Sequence, residues 1–220
     1  MLGTWPCPGD AGPELALSCD TGSDTRILIL PALFEEGNKL RHFTVEVMRE
    51  LEQRGIDSFL PDLSGCNEST APMAAQTLVA WQEQARAAAE HFGATFILTV
   101  RAGALLDPGH IAGLRYAPLD GAGVLKSLLR ARVMSDREAG IESDREALLE
   151  DGKHNGLMLG GYDLGAQMIV QLAEAELPRG PATGLAQSAI GGGALWLRAE
   201  PSHDAEQAQK LAAIVSEAVG

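Results

Sequence analysis

A chain of 220 residues is long enough for one domain with a sizeable core. Its 30 acidic residues against 17 Lys and Arg leave a formal charge of −13, which repels nucleic acid and anionic membrane and leaves no cationic cluster for phosphates. Three cysteines, Cys7, Cys19 and Cys66, cannot form a closed disulfide set, and no apolar run approaches the roughly 20 residues that span a bilayer. With no basic leader at the N-terminus, the sequence reads as a single cytoplasmic domain over residues 1–220, without direct membrane insertion and without nucleic acid as a partner.

In chain order, residues 13–20 ("PELALSCD") are expected to form an antiparallel edge strand. Then come five apolar runs, at residues 26–33, 57–63, 94–100, 114–119 and 194–200. Their interiors are nearly continuous in apolar character, as strands covered on both faces require. Between them lie helical patterns. In "NKLRHFTVEVMRELEQRG" Leu40, Phe43, Val47, Met48 and Leu51 recur at three- and four-residue spacing before a capping Gly55. Met73 to Phe92 and Ala205 to Val219 have the same periodicity. Alternating strands and helices predict a three-layer α/β/α, doubly wound, mainly parallel sheet. The charged segment 130–155 interrupts the alternation and reads as an excursion, either a lid or a mobile connection; the Pro- and Gly-rich segment 178–194 reads as a loop.

Ligands of open parallel sheets bind beyond the carboxyl ends of the strands, so the residues after each run carry the chemistry. After the third run stand Thr99, Val100, Arg101, Ala102 and Gly103, a strand-to-helix turn of the kind that presents a nucleophile. Its apex is an arginine, which has only donors and cannot attack a carbonyl. Two readings stay open for Arg101: an anion site at a helix N-terminus, or an internal salt bridge to Glu35, Glu36 or Asp62. Of Glu35 and Glu36, one is expected to pair inside the site and the other to favour the start of the helix near Asn38. Asp62 and Ser69 read as turn-fixing residues.

His203 with Glu200 and Asp204 is the one cluster that resembles the base and acid of a catalytic triad, although a solvent-exposed helix start at "PSHDAE" accounts for it more simply. Cys66 is a conceivable nucleophile or a small buried hydrophobe, and Tyr162 in "GGYDLG" lines a pocket or packs beneath its loop. The five histidines have no ligand spacing, and the glycine-rich turns lack a phosphate cradle, so no metal and no cofactor is expected.

Several motifs together resemble the α/β-hydrolase-like proteins associated with exosortase A and exopolysaccharide loci in proteobacteria. They are Pro31, Glu35, Glu36, Asn38, Lys39 and Arg41 in the first loop and helix; Pro61, Asp62, Leu63, Gly65 and Ser69 in the second turn; and Arg101, Gly103, Ala104, Leu105 and Leu106 at the elbow. The run from Pro118 to Arg132, and Gly161, Tyr162 and Leu164, complete the likeness, which covers about Arg26 to Trp196. Thr99 stands where the family has Gly, and Cys66 and Asn67 alter the second turn. The resemblance implies an α/β-hydrolase fold, shortened at its C-terminus by a strand and a helix, in a branch with Arg in place of the nucleophilic Ser. Taken with the residue readings above, a degenerate site is expected in which Arg101, Glu35, Glu36, Asn38, Ala102 and Tyr162 hold a small anionic or acylated molecule. Alternatives are an esterase or thioesterase with a non-standard nucleophile or activated water, and a non-catalytic protein partner docking on residues 130–155.

Overall fold

The computed structural model describes residues 1–9 and 12–220. Two strands precede the parallel set: β1 (Leu2–Trp5), which lacks an apolar pattern long enough to predict it, and β2 (Glu14–Cys19). β1 pairs outside β2, so the expected edge strand lies inside the sheet. There follow β3 (Arg26–Leu30), α1 (Phe34–Glu52), β4 (Asp57–Pro61), α2 (Leu78–His91), β5 (Phe96–Val100) and β6 (Gly113–Tyr116). The remaining elements are α3 (Gly121–Glu138), α4 (Arg145–Asn155), the hairpin β7 (Leu157–Leu159) and β8 (Tyr162–Leu164), α5 (Ala166–Glu174), β9 (Thr183–Leu185), α6 (Gln187–Ile190) and α7 (Ala205–Val219). The main sheet runs β1-β2-β4-β3-β5-β6-β9, with β4, β3, β5, β6 and β9 parallel.

Alternation along the central strands divides the core into two layers. Ile27 and Ile29 of β3 and Leu98 and Val100 of β5 face α1 and α7, where Phe43, Val47, Leu51, Leu211 and Val215 are buried. Leu28, Leu30 and Ile97 point to the opposite face, against Trp81 of α2, Leu125 of α3 and Leu172 of α5. Both faces are covered, as the continuous apolar runs predict.

Two expectations need correction, the run at 194–200 and the start of α1, and the excursion at 130–155 takes a definite form. The run at 194–200 is not a strand: Leu195–Leu197 forms a 3-10 turn, and the last strand is β9, inside the segment read as a loop. β9 has only three residues, Thr, Gly and Leu, too few for a periodic signal. The segment 130–155 is mostly helical, since α3 runs well into it and α4 is N-capped by Asp144, whose Oδ1 accepts from the N–H groups of Glu146 and Ala147 at 2.9 Å. Helix α1 begins at Phe34, not near Asn38, which moves Glu35 and Glu36 into its first turn.

Among the described residues, the non-glycine residues with positive φ are Phe34 (56°), Asn67 (50°), Arg101 (54°) and Ala117 (45°). One follows each of β3, β4, β5 and β6, so the backbone strain gathers along the carboxyl edge of the parallel sheet, where this architecture places its sites.

Candidate functional site

The elbow after β5 forms because the chain turns against the neighbouring strand with no room for a side chain. A Cβ at Gly103 would lie 2.3 Å from the Leu30 carbonyl oxygen and 2.4 Å from that of Pro31. Only glycine permits that approach. The turn continues as a six-residue 3-10 helix, Arg101–Leu106, and not as the full helix expected, so the helix-terminus anion site is not built. Its end is tied by a buried pair in which Arg115 Nε donates to Asp107 Oδ2 at 2.8 Å.

Arg101 holds the strained apex, and its guanidinium is occupied from three sides. Nε and Nη2 donate to the two carboxylate oxygens of Glu36 at 2.9 and 3.1 Å, and Nη1 donates to the Ala117 carbonyl at 2.8 Å. The Trp196 ring lies beneath it, 4.2 Å from the guanidinium carbon to the centroid. This is a bidentate, charge-assisted pair with a cation–π face, only 12% exposed on Arg101 and 19% on Glu36. Of the two open readings, the structure contains the internal salt bridge. Glu35 is turned away and pairs with Lys39 at 2.7 Å one turn along α1.

Space above the elbow is nearly filled. Leu33, Glu36, Ala102, Leu119 and Val124 border a void of about 20 Å³, room for about one water and not for an acyl group. Ala102 is buried behind the pair.

The proposed triad does not assemble. Asp204 caps α7, with Oδ1 accepting from the Gln207 N–H at 3.1 Å and Oδ2 from the Gln207 amide at 3.1 Å. Glu200 and His203 are exposed. His203 stacks on His42, ring centroids 4.0 Å apart, and His42 lies nearly two turns along α1 from Glu36. Trp196, from the run mistaken for a strand, is the residue of this region that reaches the elbow. The three cysteines are free. Cys66 is held protonated, its pKa pushed up to about 12 by burial first and then by the charges of Asp62 and Glu14.

The open cleft lies one strand over. A cavity of about 320 Å³ opens beyond β3 and β4, walled by α1, the loop after β4 and the β7–β8 hairpin. From α1 come Phe34, Gly37, Asn38, Arg41 and Thr44, one face of a helix at three- and four-residue spacing. Asp62, buried at the floor, accepts at Oδ1 from Arg41 Nη1 (3.2 Å) and Asn67 Nδ2 (2.5 Å). Asn38 donates through Nδ2 to the Tyr162 hydroxyl at 2.9 Å, and the Tyr162 ring meets Phe34 edge-on at 5.4 Å. Burial, first, and the neighbouring Cys66 and Glu35 raise the Tyr162 phenol above its ordinary value, so it stays a neutral donor. Ser69 is structural, accepting from the Gly65 N–H at 2.8 Å and donating to Glu14 at 2.6 Å.

The structure thus brings Arg101 to Glu36 and Asn38 to Tyr162, but joins neither pair to His203. Arg41, Asn67 and Phe34 are cleft residues that the sequence reading gave no ligand role. Among the described residues no group of three or more His, Cys, Asp or Glu could hold a metal ion, and no helix is long and apolar enough to cross a membrane.

Sheet order, flanking helices and the strained turn after β5 define an α/β-hydrolase fold. The chain is similar in structure to the mouse alpha/beta hydrolase domain-containing protein 10 (TM-score 0.56, 10% identity, 100% of this chain and 98% of that one). It is similar also to Est1E from Butyrivibrio proteoclasticus, solved with ferulic acid bound (TM-score 0.55, 12% identity, 92% of each chain). It spans only 39% of an epoxide hydrolase from Vigna radiata, with a TM-score of 0.41 and 19% identity. No protein-family model matches the sequence, and no curated protein matches it either.

Proposed function

We propose that this is a cytoplasmic α/β-hydrolase-fold protein whose hydrolytic centre is retired and which binds a small molecule without turning it over. The observation that carries the reading is Arg101 at φ 54°, in the position of a nucleophile, with both Glu36 oxygens on its guanidinium. A guanidinium has no electron pair to offer a carbonyl carbon and keeps its proton at any physiological pH. The carboxylate on it comes from the loop and helix start after β3, where the oxyanion hole of an active enzyme would be assembled. A negative charge there opposes a developing oxyanion.

The setting in exosortase A and exopolysaccharide systems rests on the sequence motifs alone. An anionic or acylated ligand at Arg101 would have to displace Glu36 and break two charge-assisted hydrogen bonds. The open cleft over β3 and β4 is therefore the better place for the ligand. An esterase using Cys66 is disfavoured, because a thiol with a pKa of about 12 is almost wholly protonated at neutral pH. A protein partner is the second reading, favoured by Met134 and Ile141, 55% and 56% exposed on and beside the end of α3.

The test is hydrolysis of short- and long-chain acyl esters and thioesters by the protein beside Arg101→Ala and His203→Ala. The expected result is no turnover above the uncatalysed rate in all three. Turnover by the protein that disappears in His203→Ala would overturn the reading and restore an active centre near α7.

A further inference from the structure

The cleft beyond β3 and β4 shows which ligand chemistry it suits. Its hydrogen-bonding groups are only partly used. Asp62 accepts through Oδ1 alone, and Arg41 donates through Nη1 alone among the described residues. Tyr162 accepts from Asn38, which leaves its own proton to donate, and the Asn38 and Asn67 side-chain oxygens take no hydrogen bond among the described residues. Acceptors at Asp62, Asn38 and Asn67 thus share one cavity with donors at Arg41 and Tyr162. A hydroxyl is the group that donates and accepts at once, so a row of adjacent hydroxyls satisfies such a mixed set where a carboxylate or phosphate would satisfy only the donors.

Charge decides against an anion. The cation of the cleft, Arg41, already faces the buried Asp62 at 3.2 Å, and the next cation along the helix, Lys39, is held by Glu35 at 2.7 Å. An anion would meet the Asp62 charge without a free cation to offset it. Size decides against a long chain or a dinucleotide, because about 320 Å³ is at the lower end of small-molecule sites. The remaining walls are apolar or aromatic: Leu33, Leu60, Leu63 and Met73, with the Phe34 and Tyr162 rings, give a surface for the C–H face of a ring.

We propose that this cleft binds a neutral polyhydroxylated molecule of about monosaccharide size, oriented by Asp62, Arg41, Asn38 and Tyr162. The proposal rests on the binding reading above, but not on the absence of turnover. Ester hydrolysis at the elbow would overturn that reading and leave this cleft untouched.

The experiment is titration calorimetry and saturation-transfer NMR on the full chain with methyl hexopyranosides and myo-inositol, against acetate, butyrate and succinate. Saturable binding of at least one polyol is expected, stronger than any carboxylate, and weakened on the order of 3- to 10-fold in Asn38→Ala and in Tyr162→Phe. Tyr162→Phe keeps the ring against Phe34, so it decides the matter if Asn38→Ala is poorly folded. The proposal is overturned if no polyol saturates, if a carboxylate binds more tightly, or if polyol binding is unchanged in both variants.

Discussion

The elbow over β5 and the cleft over β3 and β4 lie one strand apart on the same edge of the same sheet, and they have opposite fates. Both take residues from the first two turns of α1. Glu36 turns toward β5 and closes on Arg101. Asn38 and Arg41 turn toward β4 and line an open cavity. A rotation of about 100° per residue puts Glu36 roughly 140–160° around the axis from Arg41 and Asn38, so the closing and the lining residues take nearly opposite faces of one helix. The turn after β5 is therefore filled while its neighbour on the same edge stays open, without moving an element.

The largest expected difference is chemical. With a pKa near 12, Cys66 is thiolate to about one part in 10,000 at pH 8, against roughly a quarter for a free thiol. Iodoacetamide should modify it on the order of 1,000-fold more slowly than a free cysteine, followed by mass spectrometry of its peptide. Labelling at the free-thiol rate would make the cleft a reactive site.

Next is the response to alkali, which reaches both regions. Tyr116, packed edge-on to Trp196 beneath the elbow, has its phenol pushed up to about 12 by burial, only partly offset by Arg101. Like Cys66 it is neutral when protonated, and the folded chain holds both protons more tightly than the unfolded one. Their contribution to stability is complete below about pH 9, and it is lost as pH rises toward 12, at about 1.4 kcal/mol per pH unit for each group. Urea denaturation between pH 8 and 11 should show this fall. Tyr116→Phe should flatten the elbow's share and Cys66→Ala the cleft's; a flat profile in the unmodified protein would contradict both burials.

Smaller again is the cost of opening the elbow. Glu36→Ala leaves the Arg101 guanidinium with the Ala117 carbonyl and the Trp196 ring alone, and should cost about 1.5–3 kcal/mol. For a chain of this size that lowers Tm by roughly 3–12 °C in calorimetry. The double change Glu36→Leu with Arg101→Met should recover most of it, because apolar replacement of a buried pair is often neutral. A neutral Glu36→Ala would mean that the pair does not hold the elbow shut.

The sheet was legible wherever a strand carried a run of apolar residues, as β3, β4 and β5 do, and illegible where pairing alone makes the strand. β9 hydrogen-bonds to β6 through a Thr-Gly-Leu stretch with no pattern, while "ALWLRA" has a strand's composition and uses it to bury Leu195 and lay Trp196 against Arg101. That Arg101 cannot act as a nucleophile was plain from residue type, and Glu36 stood among its possible partners. Choosing it over Glu35 required the start of α1. That start lies at Phe34 with no side-chain cap, so no sequence signal marks it. The cleft did leave a trace: Phe34, Asn38 and Arg41 follow a helical repeat, but the hydrophobic residues on the opposite side dominate the pattern. Tyr162 could not be placed, because the β7–β8 hairpin that brings it over α1 consists of two three-residue strands.

The smallest effect separates the two regions most cleanly. Tyr162→Phe removes one oxygen, which accepts a single hydrogen bond from an exposed Asn38, and it keeps the edge contact with Phe34. Water replaces that bond for Asn38, so the loss of stability should stay below about 0.5 kcal/mol, a shift in Tm of about 2 °C or less. Glu36 has no such substitute, since its guanidinium partner is shut away from solvent. If thermal unfolding shows Tyr162→Phe to be as costly as Glu36→Ala, the polar groups of the cleft are as structural as those of the elbow, and neither position on this edge of the sheet is free to hold a ligand.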